Sequence, residues 1–148
     1  MWQQVAAAVI AALAVVTPAA AQGITPCDST VVDDSGALSS GLGRVSDAVG
    51  SLERRGAIVR VRTFRTFGSY GSLDHLRAAI VRECPSWRAP NGENRDNLIA
   101  VLLAVDDHEV GIYTGVDWSR INDAHSVAIQ TDVMGPYFRG GNFAEGIA

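Results

Sequence analysis

The residues with chemistry to offer are mostly oxygen donors. Asp33-Asp34 closes a β-branched run, Asp96-Asn97 stands directly before the aliphatic stretch Leu98 to Val105, and Asp106-Asp107 follows that stretch at once. Asp117, Asp123 and Asn142 come later. Carboxylate and amide oxygens gathered at one place suit calcium or magnesium, whereas zinc calls for His or Cys. A bound divalent cation would neutralise their mutual repulsion. Each residue also has a plainer reading: Asp33 as a turn cap, Asp106 and Asp107 as hairpin residues, Asn142 as a helix N-cap, and the whole set as a solvated rim. The sequence contains no nucleophile-elbow serine, P-loop, GxGxxG, HExxH, EF-hand spacing or DxDx motif. His75, His108 and His125 stand singly and read as surface or capping residues.

The elements that must position these oxygens follow from periodicity. After Pro26 a short β-branched segment ends at turn residues. Leu42, Val45, Val49 and Leu52 then recur at helical spacing, with Ser39 or Ser40 as cap and Gly56 as stop. Val59 to Arg62 alternates Val with Arg, as a strand with one buried face does. A second helix is expected from the Ser72 cap through Leu73, Leu76, Ile80 and Cys84, ending at Pro85. Residues 86–97 read as a loop. Leu98 to Val105 is a buried strand, and Asp106-Asp107-His108 turns the chain into a hairpin whose second arm is Glu109 to Gly115. A third helix starts near Asn122 and ends at Gly135-Pro136, and a fourth starts at Asn142, with Glu145 completing a capping box. This is an α/β order, and so aliphatic a strand belongs at the centre of a sheet covered on both faces. Polar residues at its ends would then line a rim, where such sheets collect ligands.

The chain has 148 residues, 47% of them hydrophobic, enough for one core and too few for two. Its net charge of -4 and scattered arginines speak against a nucleic-acid partner. Residues 1–21 read as a secretory signal cut after Ala21, or else as an uncleaved N-terminal anchor, and either places the rest outside the cytoplasm. In that compartment Cys27 and Cys84 are expected to form one structural disulfide, with two free thiols as the alternative. A last helix of about six residues is too short to stand alone, so the domain, residues 28–148, is expected to be incomplete at its C-terminal helix.

The order of these pieces resembles the TPM domain, a family of exported or lumenal domains, over roughly Val31 to Ile147. The resemblance rests on Asp33-Asp34-Ser35-Gly36-Ala37-Leu38-Ser39, on Asp96-Asn97 before the aliphatic strand, and on Thr114-Gly115 with Asp123. It closes with Pro136, Phe138, Arg139, Gly141, Asn142, Phe143, Gly146 and Ile147. The family has a second Gly and a Glu where this chain has Val116-Asp117-Trp118, and often an Asp where Asn142 stands. The resemblance implies an α/β/α sandwich with a mostly parallel sheet and a hairpin arm. It also implies calcium bound at strand-end loops and, in some members, acid phosphatase activity. Carried over residue by residue, the metal ligands are Asp33, Asp96, Asn97 and Asp123. Two functions follow as expectations: a metal-assisted phosphatase of the cell envelope, or a non-catalytic calcium-stabilised module. The second would contact envelope or membrane proteins and be held at the membrane by a further C-terminal segment or by the N-terminal one.

Overall fold

The computed structural model describes residues 26–121 and 123–148; the expected signal segment, residues 1–21, lies outside them. The aliphatic run becomes β3 (Leu98–Ala104), with six of its seven residues buried. It is an inner strand of a four-stranded sheet whose order is β1 (Val31–Asp33), β2 (Ile58–Phe64), β3, β4 (Glu109–Thr114). The first three strands run parallel and β4 returns antiparallel as the hairpin arm.

Alternation along the strands divides the core in two. Leu98, Ala100 and Leu102 face α2 (Leu73–Glu83), packing with Leu73, Leu76, Ile80, Cys84 and Trp87. Val59, Val61 and Ile99 face the other way, against Val45 and Val49 of α1 (Leu42–Glu53) and Ala144 of α5 (Phe143–Ile147). The result is the expected α/β/α sandwich.

Several local expectations change. Neither Ser39 nor Ser40 caps α1; Gly41 holds the N-cap position without a side-chain bond. Contact with α5 selects that glycine, because a Cβ there would stand 2.5 Å from the Cβ of Ala144. Leu42, placed on the buried stripe by its spacing, is 45% exposed. Ser72 does cap α2, its Oγ accepting from the His75 amide. The third helix does not stop at Gly135-Pro136. α3 (Asp123–Ala128) widens into a π-helical turn (Ile129–Met134) and continues as α4 (Gly135–Arg139). Pro136 falls in the first turn after the π segment, where its missing N–H costs little. The capping box at Asn142 is not made either. Glu145 instead reaches Arg44 of α1 at 3.0 Å, and α5 is held by tertiary packing.

The loop after α2 hides a fixed point. A 3-10 turn (Pro85–Trp87) places the Trp87 side chain in full burial. Cys27 and Cys84 are joined in a disulfide with Cα atoms 5.3 Å apart, and the Trp87 indole N–H donates to the Cys27 carbonyl at 2.8 Å. Arg62, only 4% exposed, lies over the Trp87 ring at 5.3 Å and donates to the carbonyls of Val61, Pro26 and Cys27. Burial, and then the neighbouring Arg60, pull Arg62 down to about 10, while Asp34 pulls the other way. It therefore stays protonated at neutral pH, its charge spread over carbonyl dipoles.

Candidate functional site: two rims and an open edge

Strand register decides where the expected metal ligands go. Asp33 pairs with Thr63, which pairs with Leu103, so Asp33 sits at the end where the parallel strands finish. Asp96 and Asn97 precede Leu98, at the end where β2 and β3 begin. The levels of Leu98 and Leu103 alone are separated by roughly 16 Å, at about 3.3 Å per strand residue. The single rim expected to gather all four oxygens is therefore split, and the reason is that the relevant strands are parallel: a residue after one and a residue before another fall at opposite ends. Asp123 is in a third place, at the head of α3 beside the outer edge of β4. Among the described residues, no three His, Cys, Asp or Glu side chains converge where they could hold one metal ion.

At the first rim the Asp33 carboxylate is occupied. Oδ2 accepts the Leu38 amide at 2.9 Å, and Oδ1 accepts the hydroxyls of Ser35, at 3.1 Å, and of fully buried Thr63. Ser35 Oγ also accepts from the Ala37 amide, and its single proton is shared between Asp33 Oδ1 and Thr63 Oγ1, 2.8 Å away. The Asp33 to Leu38 signature thus builds a turn and pins it to β2. Asp107 does similar work nearby, accepting from Thr66 Oγ1 and the Phe67 amide, and so ties the hairpin turn to the loop after β2. Asp106 lies 4.0 Å from Arg65.

The second rim is fastened through backbone. The Asp117 amide donates to the Asp96 carbonyl at 3.0 Å, Trp118 Nε1 donates to the Asn97 carbonyl at 3.2 Å, and Asn97 Nδ2 donates to the Gly56 carbonyl at 2.9 Å. Gly115 is demanded by this closure, since a Cβ would stand 2.0 Å from the Arg95 carbonyl and 2.3 Å from that of Asp96. The Asp96 and Asp117 carboxylates remain exposed on the outside of the clasp.

The third place is the free side of β4. Two cavities, of about 650 and 510 Å³, lie along it and share His108, Glu109, Val110, Gln130 and Thr131. One wall is the start of α2, with Leu73 and Asp74; the other is α3 and the π-helical turn, with Asp123, Val127 and Gln130. Tyr113 donates to Asp74 at 2.9 Å, and Arg77 lies over its ring at 5.4 Å. Burial, and then the bond to Asp74, push the Tyr113 phenol up from its ordinary value, so it remains a protonated donor. No sequence pattern singled out Asp74, Tyr113 or the π-helical turn. The only local hint was Gly111, which lets the Tyr113 ring fold back along its own strand.

Among the described residues no helix is long and apolar enough to cross a membrane. No curated protein matches the chain in sequence. Solved structures share its fold, among them two N-terminal domains. The N-terminal domain of a protein from P. gingivalis has 24% identity and a TM-score of 0.66, covering 82% of this chain and 76% of that one. The N-terminal domain of the cg2496 protein from Corynebacterium glutamicum has 18% identity and a TM-score of 0.58, covering 95% and 80%. The family model of the TPM domain matches residues 31–148, which begin at β1 and take in both rims and the open edge, and the chain belongs to that family.

Proposed function

We propose that this is an extracytoplasmic TPM domain of the cell envelope that works as a non-catalytic protein-interaction module. The observation that carries the reading is the register of the parallel strands, which holds Asp33 and Asp96 at opposite ends of the sheet while Asp33 is engaged by Leu38, Ser35 and Thr63. These are supports for a fold, not a convergent reacting centre. Export is favoured by the disulfide, which persists in oxidising compartments, and by the apolar N-terminal segment. A second reading, a calcium- or magnesium-dependent phosphatase, draws on one feature. Asp96 and Asp117 are brought to the same rim by their backbone bond, with Asn97 adjacent. Two carboxylates and an amide would leave most of a cation's shell to water and backbone oxygens, and Asp33 lies at the other end of the sheet.

Turnover of p-nitrophenyl phosphate, with and without added Ca2+ or Mg2+, separates the two readings. The wild type and Asp96→Asn should be indistinguishable from buffer, and calorimetry should show no calcium binding that Asp96→Asn removes. Metal-dependent turnover that disappears in Asp96→Asn, with the fold intact, would overturn the module and establish the phosphatase.

A further inference from the structure

Sheet edges expose backbone donors and acceptors, and proteins usually blunt them with cover, charge or shortness. β1 is blunted by having three residues. β4 has six, and it forms the last strand of the sheet. The Gly115 amide bonds the Leu98 carbonyl, and antiparallel bonds alternate, so the N–H and C=O of Val110 and Ile112 point away from β3. Among the described residues nothing pairs with these four groups. Thr114, the next outward residue, has its carbonyl taken by Asn94 Nδ2 at 3.1 Å, which marks the end of the open stretch.

The surroundings have the form of a binding groove. The open stretch lies between the walls made by α2 and by α3 with its π-helical turn, above the two joined cavities. At the Val110 end the smaller cavity is lined by Leu103, Val105, Phe138 and Phe143, an apolar hole beside the strand. Val127, on the α3 wall, is 55% exposed. The carboxylates lining the two cavities are Asp74, Asp106, Glu109 and Asp123; Arg65 lies 4.0 Å from Asp106, and among the described residues no salt bridge joins the other three to a basic side chain. Arg77 is committed to Tyr113 and to the Asn94 side chain, and Arg139 is the one arginine lining the smaller cavity, so the lining stays net negative.

We propose that the β4 edge docks an extended segment of a partner protein as a fifth strand, with lysine or arginine side chains beside Asp74, Glu109 and Asp123 and an apolar side chain in the hole lined by Leu103, Phe138 and Phe143. Main-chain bonds to Val110 and Ile112 supply register, and alternate side chains supply selectivity. The unbalanced negative charge of the groove selects a basic segment over an acidic one and over a second copy of this acidic chain. This site rests on the interaction-module reading and gives that module its surface and the chemistry of its partner.

The test is NMR on the full chain, titrated with an end-blocked Lys-Val-Lys-Val-Lys-Val peptide and, separately, with its Glu-for-Lys counterpart. The basic peptide should slow hydrogen exchange of the Val110 and Ile112 amides and shift resonances of β4 and α3, and the acidic one should bind at least ten-fold more weakly. Ile112→Pro, which deletes one outward N–H, should weaken the basic peptide at least ten-fold. Glu109→Gln with Asp123→Asn alters no backbone hydrogen bond and should weaken it several-fold, so the test survives if the proline variant misfolds. Absence of binding, equal binding of both peptides, or shifts confined to another face overturns the docking site and leaves the module reading standing. Protection of Val110 and Ile112 that grows with protein concentration alone assigns the edge to a second copy and also overturns it. Metal-dependent phosphate turnover lost in Asp96→Asn would overturn the module reading through different residues.

Discussion

The two edges of the sheet are finished in opposite ways. At the β1 edge three paired residues are enough, because the preceding segment is tied down by a disulfide, an indole bond and a buried guanidinium. At the β4 edge six residues pair on one side, and the other side opens on a groove with acidic walls. Covalent and charge-assisted anchors fix the approach to the β1 edge, and its shortness limits the polar groups it exposes. Leaving an edge open requires only that the groups stay within reach of water, and it keeps a surface on which another chain can form the same bonds. The lesson is that burial and hydrogen-bond satisfaction, more than a cluster of acidic residues, mark which part of this domain is scaffold and which is available.

The largest effect should come from cutting the closed edge. Replacing both Cys27 and Cys84 by Ser releases a crosslink spanning 57 residues; the loop-entropy model puts the loss at about 4 kcal/mol. Urea unfolding should show it as a lower midpoint, and an unchanged midpoint would mean that the Arg62 and Trp87 contacts suffice. Trp87→Phe keeps most of the buried ring but removes the bond to the Cys27 carbonyl, so a loss of about 1–2 kcal/mol is expected in the same measurement. Smallest of all should be Ile112→Pro on the open edge. Its N–H has no partner among the described residues, and an outward edge position is where a strand tolerates proline, so the cost should stay within about 1 kcal/mol. A loss as large as that of Trp87→Phe would show that the β4 edge is structurally satisfied after all.

Much of this was legible in advance because it depends on local period. The aliphatic run, the Val and Arg alternation, the Ser72 cap and the hairpin at residues 105–108 each follow from side-chain spacing or turn chemistry within a few residues. Local rules misled wherever a distant partner outbid them. Gly41 displaced the serine caps because Ala144 is packed against it, Glu145 chose Arg44 over Asn142, and Pro136 was absorbed by a π-helical turn. The resemblance to the TPM family singled out Asp33, as a metal ligand, and Gly115, as a motif residue; the structure finds the first in a turn and the second in a clasp. The resemblance did not disclose that the first is pinned through Thr63 and the second through the Asp96 carbonyl.

By itself, then, the sequence determined the element order, the two-faced burial of β3 and the family, because each is written in composition and short-range pattern. Tertiary structure alone decided that Asp33 and Asp96 part company, that Arg62 and Trp87 lock the start of the domain, and that β4 keeps one side open. Those outcomes depend on strand direction and register, which bring together or separate residues by distances that no local spacing encodes.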